Sequence, residues 1–482
     1  MFTDSYFQAF DSVLRDLRVS AYLCGGTVRD LLLSRPVHDV DLVLSDQVFE
    51  AAQQFAARLR RPFFVMDKER QVARVVCESG NWDFTGYRNH TIEGDLAKRD
   101  FTINAMAIRW QDFYPARNLT VVDPHGGQRD LQARLIRPVT ALSLQDDPLR
   151  MLRAFRIQAE LHFTLDPSLT EQIGRVHNRI GDVAAERITE ELDRILLQPD
   201  SAAAWNAIAA TPLFDSLFPE LVPMKGCEQG GYHHLDVWNH TVLALQNFEQ
   251  FISTIGETFG QDAQALKEYL DSSAGTLDRR RLLKWVVLLH DSGKPQTREL
   301  KEPGRWRFHG HEHTGSNLAQ ALLKRLKFAR KDAQLVALLI EQHLRPLQFF
   351  NQPQRDDDSR FRFFRAIGSE GAGLLLVSYA DLTSARGPAS PPSREAEYLR
   401  FLQEMIRFYY STYYPAVHMP ELVKGRDLMA VLQMKSGPEM GELLREIREE
   451  QLLGKLKSRD EALSYARKWR KAHARKEKKI EK

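Results

Sequence analysis

CGGTVRDLLLSRPVHDVDLVL, residues 24–44, sets two glycines, an arginine and two alternating aspartates in an otherwise apolar run. Its end, from His38 to Leu44, reads as a strand, and side chains along a strand point to opposite faces in turn. Asp39 and Asp41 then share one face, Val40 and Leu42 the other. Two bare carboxylates side by side repel unless a divalent cation lies between them, and hard oxygen ligands suit Mg²⁺. Gly25 and Gly26 let the backbone approach a ligand closely and open a helix, TVRDLLLS. The free N–H groups at a helix start bind phosphate, and Arg29, one turn in, can point back at it. The combination describes a triphosphate cradle beside a metal-binding carboxylate pair, equipped for in-line attack of a hydroxyl on phosphorus. A glycine turn with surface aspartates would explain a DxD alone, but not all of these residues together.

Outward from this stretch, residues 19–110 alternate β-branched runs (VSAYLCGG, PFFVMD, ARVVCE, WDFTGYR) with helical ones such as SDQVFEAAQQFAARL. Helical periodicity takes over from Pro148 almost to the end, and GPASPPSRE at 387–395 reads as a break before the last domain. The fold class is therefore α+β. At 482 residues, 43% hydrophobic and 27% charged, the chain has the composition of a soluble multidomain protein. It shows no apolar run long enough to span a membrane. Three scattered cysteines, Cys24, Cys77 and Cys227, give no disulfide framework, so a cytoplasmic location is expected. The net charge is only +3, but residues 466–482 hold nine Lys or Arg against two Glu, so the tail carries +7 and the rest −4. Such a tail is either a solvated helix end or a contact to phosphates.

The pattern GG-x-V-R-D-x(8)-D-x-D resembles the nucleotidyltransferase head of the polymerase β superfamily, in the branch of bacterial tRNA CCA-adding enzymes and poly(A) polymerases. DLAKRDFTINAMAI (95–108) looks like the family's basic motif, DPHGGQRDL (123–131) like its glycine turn, and DDPLRMLRAFRIQAEL (146–161) like its E-D-x-x-R helix with Asp146 in place of Glu. GRDLMAVLQMKSGPEMGELLREI (425–447) resembles its C-terminal segment. The resemblance implies that Asp39 and Asp41 hold Mg²⁺ and that Gly25, Gly26, Arg29, Arg99, Asp100 and Asn104 bind the nucleotide. Asp83, between Trp82 and Phe84 on an expected strand, stands where relatives often carry a third acid; the alternative is a solvent-facing aspartate.

Asp147 precedes Pro148, a good first helical residue, so Asp147 reads as an N-cap. Arg150 and Arg153 follow at three-residue steps and share its face. Cytosine and adenine each present an amino donor beside a ring-nitrogen acceptor, which a carboxylate and a guanidinium can match. Guanine and uracil put a carbonyl where the amino group belongs, against the carboxylate. The resemblance implies the same template role for Asp147 and Arg150, assisted by Arg153.

A second set of residues runs His240, His290-Asp291, His313, His343, Asp381, with HDSGKP at its centre. Imidazoles and carboxylates in this order suit a divalent metal and an activated water. They look like an HD phosphohydrolase domain holding a transition metal or Mg²⁺. His309 and His311 read as surface residues. A relic domain that only supports tRNA is the alternative.

One departure bears on specificity. CCA-adding relatives carry a longer flexible segment between Arg88 and Asp95, where this chain has only NHTIEG. In the family a short segment is typical of enzymes that add CC and leave the terminal A to another enzyme. The expectation is thus a tRNA 3′-terminal cytidylyltransferase using CTP, with full CCA addition from CTP and ATP as the runner-up. A poly(A) polymerase, an HD-type RNA phosphodiesterase and a tRNA-binding chaperone are weaker alternatives. The expected parts are a head (1–140), a helical neck that reads the base (141–225), an HD domain (226–388) and a helical tRNA-binding tail (389–482).

Overall fold

The computed structural model describes residues 4–230, 234–302, 305–386, 393–452 and 454–480, the side chains of 305 and 472–480 excepted. Most of the expected break at 387–395, and most of the basic tail's side chains, lie outside the described residues. The chain divides into two compact units, 1–222 with 325–327, and 223–324 with 328–482.

The first unit opens with α1 (Asp4–Leu17), β1 (Ala21–Cys24), α2 (Gly26–Leu32), β2 (Val40–Leu44), α3 (Val48–Leu59), β3 (Phe63–Asp67), β4 (Val72–Cys77), β5 (Gly80–Gly86), α4 (Ile92–Leu96), β6 (Ala107–Arg109) and β7 (Val121–Val122). The strands form one mixed sheet in the order β3-β4-β5-β2-β1-β6-β7. β2 and β5 are its parallel pair, with Val40, Asp41 and Leu42 level with Trp82, Asp83 and Phe84. Trp82 and Phe84 point into an aromatic core with Phe10 of α1, Phe55 of α3 and Trp110, all fully buried. Phe10 meets Trp110, and Phe55 meets Trp82, with ring centroids 4.6 Å apart in each pair. Truncating such a ring costs about 3–5 kcal/mol. Because side chains alternate, the register that buries Trp82 and Phe84 turns Asp41 and Asp83 together onto the other face.

β2 begins at Val40, not His38, so Asp39 is exposed just ahead of the strand and not on it. In the neck, the helix expected from Pro148 begins at Arg150 and runs to Leu161. It packs on the Ala185–Leu196 helix. Buried Arg156 ties the two together, donating to Glu160 and Glu191 at 2.6 Å each.

Among its described residues the second unit is helical apart from one hairpin, Arg298–Glu302 with Arg305–Phe308. Its HD part centres on the helices Val237–Ser253, Arg279–Leu289, His311–Arg325, Arg330–Gln342 and Gly371–Ser384. At the HD turn, a β-carbon on Gly293 would fall 2.2 Å from the His311 carbonyl oxygen. Only glycine lets the HD turn and the following helix approach this closely. The last helices close on a separate core of Leu428, Met440, Leu443, Ile447, Ala462 and Trp469. Cys24, Cys77 and Cys227 are free and buried. No helix among the described residues is long and apolar enough to cross a membrane.

Candidate active site and candidate metal centre

In the first unit, Gly25 carries φ +65°, which turns the chain from β1 straight into α2. A β-carbon there would lie 3.0 Å from Asp41 Oδ2 and 3.3 Å from Arg99 Nη1, so a side chain at this position would fill the cradle. Thr27 pins the DxD segment to α2: its hydroxyl donates to the Asp39 carbonyl at 3.1 Å and accepts from the Asp41 N–H at 2.8 Å. Asp39 Oδ1 accepts from the backbone N–H and side-chain amide of Asn81 at 2.9 and 3.1 Å. Asp83 faces Asp41 across the parallel pair, and both its oxygens accept from the Arg74 fork at 2.7 and 2.8 Å.

Burial raises the Asp41 carboxyl to about 6. The Arg99 charge opposes this rise, while the Asp83 and Asp39 carboxylates add to it. A site that makes a carboxylate this reluctant to ionise is one that a divalent cation would relieve. The donors are all oxygens, which fits Mg²⁺. Asp39, Asp41 and Asp83 do not converge as tightly as the second unit's groups do, because Asn81 and Arg74 hold two of them.

The expected nucleotide-binding residues form one network. Arg29 donates from Nη1 to Asn104 Oδ1 at 3.0 Å and grips Asp30 with Nε and Nη2. Asn104 donates to Asp100 Oδ1 at 3.1 Å, and Asp100 Oδ2 meets Arg153 Nη2 at 3.1 Å. Arg99 donates twice to Asp95, which is 1% exposed, and once to Cys24 Sγ at 3.0 Å.

Asp147 and Arg150 are not bonded to each other. Asp147 Oδ1 accepts from the Leu149 N–H at 3.2 Å, and Oδ2 accepts from Arg187 at 2.9 Å. Arg150 donates to the carbonyls of Lys98, Arg99 and Ser143 at 2.6, 3.3 and 3.1 Å, and its buried Nε has no partner. Thr27, Arg74, Asn81 and Arg187 join the site without a sequence expectation that points to them. Thr27 alone had a signal, its place inside the glycine motif.

In the second unit His240, His290, Asp291, Asp381, His311 and His343 converge. His290, His311 and His343 donate from Nδ1 to the carbonyls of Val287, Phe308 and Ile340 at 2.6–2.7 Å. Ser384 Oγ donates to the Asp381 carbonyl and so accepts from His240 Nδ1 at 3.1 Å. All four rings therefore turn Nε2 inward, the orientation of metal-ligating histidines. Buried His290 Nε2 stands 3.2 Å from Asp291 Oδ2 without a well-aligned hydrogen bond. Lys294 Nζ, at 2.6 Å from Asp291 Oδ2, balances some of the charge. Burial would pull His290 down, yet Asp291 and Asp381 push it up to about 10. Burial, with the charges of His290 and His311, takes His343 down to about 3. The nitrogen and oxygen donors fit a divalent transition metal.

Two histidine assignments are corrected. His311, expected at the surface, is 6% exposed and lies in the cluster. His313, expected as a ligand, has a 71% exposed side chain near Glu341. Two residues along a helix is about 200° of rotation, so the two rings cannot face the same way.

Separate parts of the chain match separate families of known proteins. The chain matches the poly A polymerase head domain over residues 21–137 and the probable RNA and SrmB-binding site of polymerase A over 162–224. It matches the HD domain over 248–366 and the putative tRNA nucleotidyltransferase domain 2 over 394–466. The HD match takes in neither His240 nor Asp381, which the fold brings to the cluster. The chain is 34% identical to an A-adding tRNA nucleotidyltransferase of Deinococcus radiodurans, over 93% of this chain and 95% of that one. It is 32% identical to a CC-adding tRNA nucleotidyltransferase of Thermus thermophilus, over 93% and 94%. Its fold is similar to that of a CCA-adding enzyme in an apo form, with TM-score 0.62 and 19% identity, over 95% of this chain and 92% of that one.

Proposed function

The chain belongs to the tRNA nucleotidyltransferases with a poly A polymerase head, and from that premise we propose that it adds the two C residues to the 3′ end of tRNA from CTP, without a nucleic-acid template. The observation that carries the choice of C is the segment between Arg88 and Asp95. It is short and folded: a single turn at Arg88–His90 runs into α4, which Thr91 caps by accepting from the Gly94 N–H at 3.0 Å. Asp95 closes it from below, buried and gripped by Arg99. A lever able to reshape the pocket from cytosine to the larger adenine needs slack, and this segment is pinned at both ends.

In this reading the tRNA 3′-hydroxyl attacks the α-phosphate of CTP and pyrophosphate leaves. Asp39 and Asp41, with Asp83 beside them, would hold Mg²⁺, which when bound stabilises charge on the attacking and leaving oxygens. The N–H groups at the start of α2, with Arg29 and Arg99, orient the triphosphate, and Asp100 and Asn104 hold Arg29 and Arg153 in place. Asp147 accepts from the cytosine amino group, and Arg150 donates to N3 from its unpartnered Nε. A carbonyl in place of the amino group would face the Asp147 carboxylate and leave buried groups unpaired. Residues 1–140 carry the chemistry, 141–225 read the base, and 389–482 bind tRNA. Residues 226–388 are a metal-dependent phosphohydrolase centre, a reading supported by the inward Nε2 atoms.

The similarity to an A-adding enzyme favours a second reading, addition of the terminal A alone. Purified protein given tRNA ending at the discriminator base, at C or at CC, with CTP, ATP or both, separates the readings by product length. The first reading expects two added C residues and no A. Efficient A addition to tRNA-CC alone would establish the second, and three added nucleotides would make the chain a CCA-adding enzyme.

A further inference from the structure

The Asp95 carboxylate is 1% exposed and faces two ways. Its Oδ1 closes the short stretch that begins at Arg88: it accepts from the Arg88 N–H at 3.4 Å and lies 3.9 Å from Arg88 Nε. Its Oδ2 takes the Arg99 fork, Nε at 3.0 Å and Nη2 at 2.9 Å. One carboxylate thus joins the segment proposed to set the choice of base to the arginine proposed to orient the triphosphate, one oxygen to each.

Neither end of this bridge is loose. Between Arg88 and Asp95 the chain folds on itself: a β-carbon on Gly94 would fall 2.9 Å from Asn89 Cβ and 3.1 Å from the Asn89 carbonyl oxygen. α4 buries Ile92 and Leu96 in one cluster with Cys24 of β1 and Val43 of β2. Cys24 Sγ also accepts from Arg99 Nη2 at 3.0 Å, and burial pushes its thiol up to about 12, so it stays neutral. Nε and Nη2 of Arg99 are therefore both held, and Nη1 is left at the cradle, 3.3 Å from where a β-carbon on Gly25 would lie. A turn of the guanidinium toward a phosphate has to carry the Asp95 carboxylate with it, and through the other oxygen the Arg88 N–H.

We propose that Asp95 is a positioning residue that couples the Arg88–Asp95 segment to the phosphate hold of Arg99, so that the fold of the segment and the seating of the triphosphate change together. The inference rests on reading Arg99 as a triphosphate ligand. It goes beyond that reading in giving the segment an effect on phosphate as well as on the base. Asp95→Asn keeps the shape of the side chain but leaves a single acceptor oxygen beside a nitrogen that only donates. It cannot accept from the Arg88 N–H and from the Arg99 fork at once, so it cuts the bridge without opening a cavity.

The test measures competition by inorganic tripolyphosphate against whichever nucleotide the enzyme adds, together with backbone hydrogen exchange over residues 88–95. In the parent, saturating tripolyphosphate should slow exchange in that segment, and in Arg99→Ala it should not. Asp95→Asn should weaken tripolyphosphate competition and raise the nucleotide KM, each by about tenfold, while the KM for tRNA stays within about twofold. In the Arg99→Ala background, Asp95→Asn should add nothing further to the loss of competition. Undiminished competition in Asp95→Asn, or a loss that adds in full to that of Arg99→Ala, overturns the coupling and leaves the role of Arg99 standing. Unchanged competition in Arg99→Ala removes the premise, and the coupling with it. The exchange measurement on the parent decides the matter even if Asp95→Asn fails to fold: no slowing over 88–95 overturns the coupling.

Discussion

Arg187 donates to Asp147 Oδ2 at 2.9 Å from forty residues further along the chain. Together with the Leu149 N–H on Oδ1, it fixes the plane of the carboxylate proposed to read the base. The Arg187 side chain is about half exposed, so the contact contributes about 0.5–1 kcal/mol. Arg187→Ala should lower kcat/KM for CTP by a factor of about 2–5 and narrow the preference for CTP over UTP. Arg187→Lys should recover part of both. An unchanged CTP-to-UTP ratio in Arg187→Ala would remove Arg187 from base selection.

Asp41 carries a cost in stability that the proposed chemistry requires. Its carboxyl is raised to about 6 in the folded chain, first by burial and then by the Asp83 and Asp39 charges, against an ordinary value of 3.8. A raised carboxyl destabilises the fold where it is ionised, so the cost is full above about pH 6 and fades as pH falls toward 3.8. In chelator, Asp41→Asn should be more stable than the parent by about 1–3 kcal/mol at pH 8, and the gap should shrink by pH 5. Nucleotide addition should be lost. Thermal melts at the two pH values check the first expectation, and incorporation of labelled CTP the second.

Asp100 runs the other way. Burial acts to raise it, but the Arg153 charge, the Asn104 amide and the Phe101 N–H hold it down at about 2. Its stabilisation is present above the ordinary carboxylate value and is lost as pH falls toward 2. Asp100→Asn should cost about 2 kcal/mol at pH 7 and less at pH 3, as read from urea titrations. An equal loss at both values would show that the carboxylate's charge is not what stabilises this network.

His290 and Asp291 lie in the second unit, Asp39 and Asp41 in the first. His290→Ala combined with Asp291→Ala should abolish hydrolysis of a 2′,3′-cyclic phosphate and leave CTP addition within about twofold of the parent. A parallel fall of both activities in a folded double variant would mean the two centres are not separate.

The sequence by itself determined the alternation that buries Trp82 and Phe84 while leaving Asp83 on the other face. It also determined the glycine start of α2, the DxD segment and the HD turn, because strand and helix periods, φ freedom and cap chemistry are local properties. Tertiary structure decided what depended on relative placement. Whether His311 or His313 faces inward depends on the rotational phase of a helix, which in the fold brings His311 to the Phe308 carbonyl and its backbone close to Gly293. Asp39 falls just outside β2 because pairing with β5 begins at Val40. The ties of Arg187 to Asp147 and of Arg74 to Asp83, and the meeting of His240 with Asp381 at 3.0 Å across 141 residues, carry no local signal. Each becomes a contact only after separate segments pack, and packing selects partners by shape and burial, not by distance along the chain.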